Sequence, residues 1–343
     1  MLSKALISVA GTGGSSSGPT TLINSGASEA AAIDITNPAS MSVLDTLASS
    51  NLSIGEGWAV NKDDQVVYYT NSLSDIISSI DCSTPTALNI SASYNNITYS
   101  EGADLPAYDS QAKVLYTLKG ASPYLLNSFD VSTPSTLTLR DSISIASTPS
   151  MVAMDVDNRI VYVGTVSNMI AVDITNSAAL STIGSSTITG YNSPSKQGYV
   201  SPDGTRLIAG SDVYNAIHVY DVSNPASISG VSSFTDPSNI PDVDFINVDW
   251  SEDLVFTLGD GYLSSVDMSN LLSLTQLDTI YDAAFDAITH SSIAVDTVNK
   301  VLYVAARSNG DIVKAVSYAD PSNLTIIGSI TNAALTGGSC VLL

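Results

Sequence analysis

Side chains suited to proton transfer are scarce here, with two His among 343 residues. His218 lies inside Ala216-Ile-His-Val-Tyr220, a short β-branched and aromatic run, where a packed structural role outweighs a catalytic one. His290 stands just ahead of a similar run, Ser291-Ser-Ile-Ala-Val295, and so belongs to a loop. Glu56, Glu101, Lys196 and Asp242 occupy comparable places before other such runs. With His290 they make up the candidate site. Asp212, Asp260 and Asp311 fall in a second set of loops. Carboxylates in such numbers suit Ca²⁺, which takes about 6–8 oxygen ligands. The sequence has no Asp-x-Asp-x-Asp-Gly loop, so the expectation is a solvated acidic rim and no metal. It also has no G-x-x-x-x-G-K loop, no H-E-x-x-H helix and no nucleophile elbow, and no cofactor is expected. General acid–base work needs His or a tuned carboxylate, and no catalytic pair singles itself out. The expectation at this level is a protein that is not an enzyme.

A repeat positions those loops. An apolar residue followed by Asp, any residue, Ser or Thr, then Asn or Thr and often Pro recurs along the chain. It appears as Asp34-Ile-Thr-Asn-Pro38, Asp81-Cys-Ser-Thr-Pro85, Asp130-Val-Ser-Thr-Pro134, Asp173-Ile-Thr-Asn-Ser177, Asp221-Val-Ser-Asn-Pro225 and Asp267-Met-Ser-Asn-Leu271. A degenerate seventh copy is Ser317-Tyr-Ala-Asp-Pro321. The copies lie 43–50 residues apart. Between them the chain reads as four short strands per repeat, as in Gly198–Ser201, Arg206–Gly210, Ala216–Asp221 and Ile228–Phe234. Second strands such as Val114-Leu-Tyr116 and Val301-Leu-Tyr-Val304 are apolar on successive residues, which predicts burial on both faces.

Four-stranded units at this period are the signature of a β-propeller. The fold class expected is therefore all-β, a seven-bladed propeller. The first repeat lacks a strand of its own ahead of Thr20-Thr-Leu-Ile23. The last residues, Ser339 to Leu343, are placed to supply it and close the ring. The repeat Asp is expected to accept hydrogen bonds from N–H groups just downstream, as an Asx-turn, with Pro ending the strand. Asp63, Asp109, Asp155, Asp203, Asp253 and Asp296 receive the same turn reading between first and second strands. In such a ring, the loops before first strands and those between second and third strands share one face. That arrangement gathers Glu56, Glu101, Lys196, Asp242 and His290 at one rim.

Eleven Lys+Arg against 33 Asp+Glu give a formal charge of −22, which argues against nucleic acid and against an anionic membrane as partners. Ser supplies 56 residues, but they are spread through patterned segments and do not form a linker. No apolar run reaches the ~20 residues of a membrane-spanning helix, so no membrane insertion is expected. Cys82 and Cys340 are too far apart for a metal knuckle and read as buried small residues. The start, Met1-Leu-Ser-Lys4 and then Ala5 to Ala10, is read as an uncleaved arm and not a secretion signal. This divides the chain into an attachment arm, residues 1–19, and a propeller, residues 20–343. Leu2, Ala5, Leu6, Ile7 and Val9 are the expected docking residues of the arm.

Val172-Asp173-Ile-Thr-Asn and Val219-Tyr-Asp221-Val-Ser-Asn-Pro225 resemble the LVIVD-type repeats of bacterial, archaeal and viral propellers. That likeness covers about residues 20–343 and implies the fold. The opening Met-Leu-Ser-Lys-Ala-Leu-Ile-Ser-Val-Ala-Gly, running into Gly and Ser, is similar to the start of virion structural proteins of marine tailed phages. The likeness implies a structural or interaction protein of a virion, a head- or tail-attached decoration or adhesin held by its arm. Its partners would be other virion proteins or copies of itself, with a host-surface glycan or receptor at the exposed loops. The alternative is a cell-surface or secreted propeller that binds or processes glycans at the channel rim.

Overall fold

The computed structural model describes residues 18–25, 29–52, 57–71, 76–95, 106–120, 122–190, 195–211, 213–235, 243, 245–285, 291–306, 312–332 and 339–343. The first unit holds β1 (Thr21–Ser25), β2 (Glu29–Asp34) and β3 (Ser42–Ala48). The second holds β4 (Gly57–Asn61), β5 (Val66–Asn71), β6 (Ile76–Asp81) and β7 (Asn89–Asn95). The third is β8 (Ala107–Asp109), β9 (Val114–Lys119), β10 (Leu125–Asp130) and β11 (Thr138–Ser144). The fourth is β12 (Pro149–Asp155), β13 (Ile160–Thr165), β14 (Asn168–Asp173) and β15 (Ser181–Thr187). The fifth is β16 (Ser195–Val200), β17 (Arg206–Ser211), β18 (Ala216–Asp221) and β19 (Ser229–Phe234). The sixth is β20 (Phe245–Asp249), β21 (Leu254–Gly259), β22 (Tyr262–Asp267) and β23 (Thr275–Tyr281). The seventh is β24 (Ser291–Asp296), β25 (Val301–Ala306), β26 (Ile312–Ser317) and β27 (Thr325–Thr331). Finally β28 (Ser339–Leu342) returns to the first unit and pairs antiparallel with β1, Leu22 opposite Leu342 and Asn24 opposite Cys340.

Each unit is an antiparallel sheet of four strands, in sequence order except in the first, where β28 takes the axial place ahead of β1, β2 and β3. The fourth and fifth form one eight-stranded sheet through a short parallel bridge, Met151 to Lys196 and Val152 to Gln197. The innermost strands neighbour one another in the cycle β28, β4, β8, β12, β16, β20, β24 and back to β28. This is the circular order of a β-propeller, closed by the C-terminal strand as its position predicts. Second strands are buried along their length, β5, β13 and β21 without exception. Outermost strands such as β7 alternate and carry Ser, Asn and Tyr. The difference follows from packing, because inner strands have a sheet on both faces and outer ones meet water.

The apolar core is divided among the joints between units. Tyr303 of the seventh packs with Ile33 and Ile35 of the first, and Leu302 of the seventh with Leu254 and Phe256 of the sixth. Burying one such side chain stabilises by about 1.5–3 kcal/mol, so the ring is held joint by joint. Every pairing of third with fourth strand carries one bulge, placed one or two residues ahead of the repeat motif. A bulge increases the local twist of the pair that carries it. At the axis, a cavity of about 40 Å³ is lined by Val60, Tyr108, Val152, Tyr199 and Leu342, with Lys62 and Gln197 as its polar groups. That is room for no more than a few waters.

Candidate functional site: two faces of the ring

The strands end on two faces, and each has its own chemistry. On the turn face stand the repeat motif and the connections from first to second strand. In every copy the first motif residue accepts from the N–H two positions on. Asp34 takes the Thr36 N–H at 2.9 Å, Asp81 that of Ser83 at 2.9 Å and Asp130 that of Ser132 at 2.9 Å. Asp173, Asp221 and Asp267 repeat this with Thr175, Ser223 and Ser269 at 2.8, 3.0 and 2.8 Å. In the degenerate copy Ser317 Oγ accepts from Ala319 at 3.3 Å. These are the expected Asx-turns, with a hydroxyl in place of the carboxylate in the last.

The first-to-second turns hold a second regularity. The residue closing the turn has positive φ at Gln65, Lys113, Arg159, Asp253 and Lys300 (47° to 58° spans the non-Gly set), and its carbonyl accepts from the residue after the repeat Asp. From that fixed position three cations reach back to the preceding unit. Lys113 pairs with Asp63 at 3.2 Å, Arg159 with buried Asp109, and Lys300 with buried Asp249 at 3.1 Å and Glu252 at 2.7 Å. Burial lowers the affinity of Lys300 for its proton, but Glu252 and Asp249 more than offset that and hold it above the usual lysine range. Asp109, Asp155, Asp203 and Asp296 cap their turns as expected. Two assignments need correcting. In the second unit Asn61 caps the turn, leaving Asp63 to the ion pair. In the sixth, Asp249 is the cap, through Ser251 N–H at 3.0 Å, and Asp253 is the closing residue.

On the opposite, rim face the sequence nominated Glu56, Glu101, Lys196, Asp242 and His290. Glu56, Glu101, Asp242 and His290 lie outside the described residues, as do Asp212 and Asp311. Lys196 is placed by its backbone on β16, where it pairs with Met151. Asp260 is described and is exposed in a two-residue Asp-Gly turn, with φ of 47° there and 84° at Gly261. The arm residues Leu2, Ala5, Leu6, Ile7 and Val9 also lie outside the described residues. His218 is buried with Nδ1 3.0 Å from Ser233 Oγ, the packed role expected. Cys82 and Cys340 are buried free thiols, both pushed up in pKa by burial.

Sequence reasoning missed an aromatic platform on this face. Tyr281, 60% exposed, ends β23 and stacks at 5.0 Å, 55° inclined, on Tyr262. A Cβ at Gly261 would lie 2.7 Å from the Tyr281 ring, so glycine is needed for the ring to rest on the turn. Next to it Asp282 pairs with Lys314, whose ammonium sits 5.4 Å over the Phe285 ring. Burial raises the Asp282 carboxyl, and the Lys314 ammonium and the Ala284 N–H pull it net below its ordinary value. Tyr214, 52% exposed, and Val213, 67% exposed, occupy the corresponding loop of the fifth unit. The readable signal was the Asp-Gly pair flanked by Tyr, which sets a tight hairpin.

Among the described residues no three His, Cys, Asp or Glu side chains are grouped so as to hold a metal ion. No described helix is long and apolar enough to cross a membrane.

No family model matches the sequence, and no curated protein matches it. Solved structures do share its fold. A protein of unknown function from Desulfotomaculum acetoxidans superposes with a TM-score of 0.76 at 13% identity, over 94% of this chain and 98% of that one. A Bacteroides uniformis protein, provisionally assigned as a 6-phosphogluconolactonase, gives 0.78 at 10% identity over 95% and 100%. The periplasmic gluconolactonase of Pseudomonas aeruginosa gives 0.71 at 10% identity over 94% and 98%. These likenesses correct the expectation that the chain is not an enzyme. Propellers draw their working residues from separate loops, so the lack of a contiguous catalytic motif excludes nothing. The chain has a β-propeller fold of the kind found in gluconolactonase-like proteins.

Proposed function

We propose that this chain is an attachment propeller of seven blades, held to a tailed-phage virion by its N-terminal arm and presenting its rim to a host-surface glycan. The observation that carries the reading is the polarity of the ring. The described chain begins at Gly18 on the turn face, where a Cβ would lie 2.2 Å from Asn299 Nδ2 and 3.2 Å from Asp296 Oδ2. Gly18 thus stands on the turn face, and the Tyr262–Tyr281 platform stands on the other. An exposed aromatic beside carboxylates is the chemistry that stacks on a sugar ring and binds its hydroxyls. The resemblance of the opening eleven residues to virion structural proteins of tailed phages is what supports the phage part of this reading.

Deleting residues 2–18 is expected to abolish incorporation into particles while the circular-dichroism spectrum and melting of the propeller stay unchanged. Normal incorporation of the deleted chain would overturn the arm's role. On a glycan array, Tyr281→Ala is expected to remove binding that the parent chain shows. A second reading, processing of a sugar-derived substrate at the same rim, is favoured by the fold shared with a named gluconolactonase. Turnover of gluconolactone above the spontaneous rate, lost in His290→Ala, would select it.

A further inference from the structure

The turn-face ion pairs have a gap. Lys113, Arg159 and Lys300 close their turns and reach the preceding unit, but the sixth unit places Asp253 at that position with the same backbone, φ 54°. Its carbonyl accepts from Met268 N–H at 2.8 Å, as that of Lys300 does from Tyr318 at 2.9 Å. Asp203, which corresponds in the fifth unit's turn to Asp63, the partner of Lys113, lines the same groove as Asp253. This joint has a carboxylate where the third, fourth and seventh units bring a cation and the second brings Gln65.

The joint is also open. A groove of about 570 Å³ runs between the two units, lined by Asp203, Asp253, Arg206, Trp250, Asn270 and Leu272. Arg206 is committed to Asp221 at 3.2 Å on its own unit. Leu272 is 71% exposed, the largest exposure among the apolar side chains described as such. The groove thus combines two carboxylates with an exposed apolar wall.

We propose that this groove is a docking site for a basic peptide segment of a partner protein, which supplies from outside the Lys or Arg that the sixth unit lacks. The cationic side chain enters between Asp203 and Asp253, and an adjacent apolar side chain covers Leu272. Among the described turns closed in this geometry, Lys113, Arg159 and Lys300 bring a cation and Gln65 is neutral, so the carboxylate of Asp253 is the one that favours an incoming cation. The site stands on the turn face, and the inference does not depend on glycan binding at the rim.

The test is selection of a random heptapeptide library on the full-length chain, run beside Asp253→Lys and Leu272→Ser. Lys at 253 is the residue that Lys113 and Lys300 exemplify at that position, so this variant is expected to keep the parent's fold. Enrichment of Lys or Arg next to an apolar residue, lost by about tenfold or more in Asp253→Lys and weakened in Leu272→Ser, is the expected result. Selected peptides without a basic residue, or peptides that bind Asp253→Lys equally well, would overturn the proposal. So would failure to enrich any peptide. If Asp253→Lys fails to fold, Asp253→Asn with isothermal titration of the best Lys peptide gives the same decision.

Discussion

The joint between the sixth and seventh units and the joint between the fifth and sixth share a backbone plan and differ in chemistry. The first carries many polar ties. Lys300 reaches Asp249 and Glu252, Tyr318 Oη donates to Asp249 at 2.9 Å, Asp278 accepts from Leu324 N–H at 2.6 Å, Asn247 Nδ2 donates to the Ile293 carbonyl at 2.8 Å and Ser265 Oγ to that of Pro321 at 2.6 Å. Among the described residues the second has fewer, Ser232 Oγ to the Leu271 carbonyl at 2.5 Å and Tyr199 Oη to that of Ile246 at 3.2 Å, and an open groove where the other joint has its cation. Both joints bury an apolar cluster. Apolar packing is therefore what every joint needs, and the polar ties are what a joint can relinquish when it has another use.

The largest expected break of this contrast is Asp249→Ala. It strips a buried carboxylate from Lys300, Tyr318 and the Ser251 turn, and should cost about 3–5 kcal/mol in denaturant unfolding. A loss below about 1 kcal/mol would mean that the tied joint is no stronger than the open one. Tyr318→Phe is a finer cut. At four other joints the inner hydroxyl belongs to a second-strand tyrosine, Tyr68, Tyr116, Tyr162 or Tyr303, facing Val131, Ile174, Val222 or Ile35 of the next unit. At this joint Phe256 takes the tyrosine's place and Tyr318 the aliphatic one, with rings 4.8 Å apart. The pair has exchanged which unit brings the hydroxyl. Removing it should cost about 1 kcal/mol by thermal melting, and Phe256→Tyr should not restore it.

The smallest effect per residue is the acid response of the repeat turns. Bonds from the following Thr or Ser hold the carboxyls of Asp34, Asp81, Asp173 and Asp221 below the usual range, and Arg140 brings Asp130 to about 2. A carboxyl depressed in the folded state stabilises fully above its unfolded value, about 3.9, and that contribution disappears as pH falls through the folded value. Stability should be flat from neutrality to about pH 5 and fall steadily below pH 4. Replacing Arg140 by Met should lower the neutral-pH stability and shrink the fall below pH 4, because Asp130 then titrates nearer its unfolded value, measured as urea midpoint against pH.

The ring was legible because its information is periodic. Asp at a fixed place, followed by Ser or Thr, makes a turn by local hydrogen bonds alone, and a steady period makes the units alike. Closure by Cys340 to Leu342 followed from counting strands. The joints were not legible, because their partners lie about one repeat apart and the residue type alone does not say which way a cation reaches. Asp253 shows this. By sequence it reads as a turn cap, and only its positive φ puts it at the position where Lys113, Arg159 and Lys300 bring a cation. Of the nominated rim residues, Lys196 alone falls on the described backbone, whereas Tyr281 was overlooked because an aromatic at a strand end looks like core until Gly261 is seen beneath it.

The pairing of β28 with β1 has a consequence for how the protein is made. During synthesis β1 to β3 emerge long before β28, and until residues 339–342 have left the ribosome their sheet lacks its axial member. Every earlier intermediate is an open arc with an unpaired edge at each end. Completion is thus a single late, long-range event, and a chain clipped just before Ser339 loses the latch of the whole circle, not merely a tail.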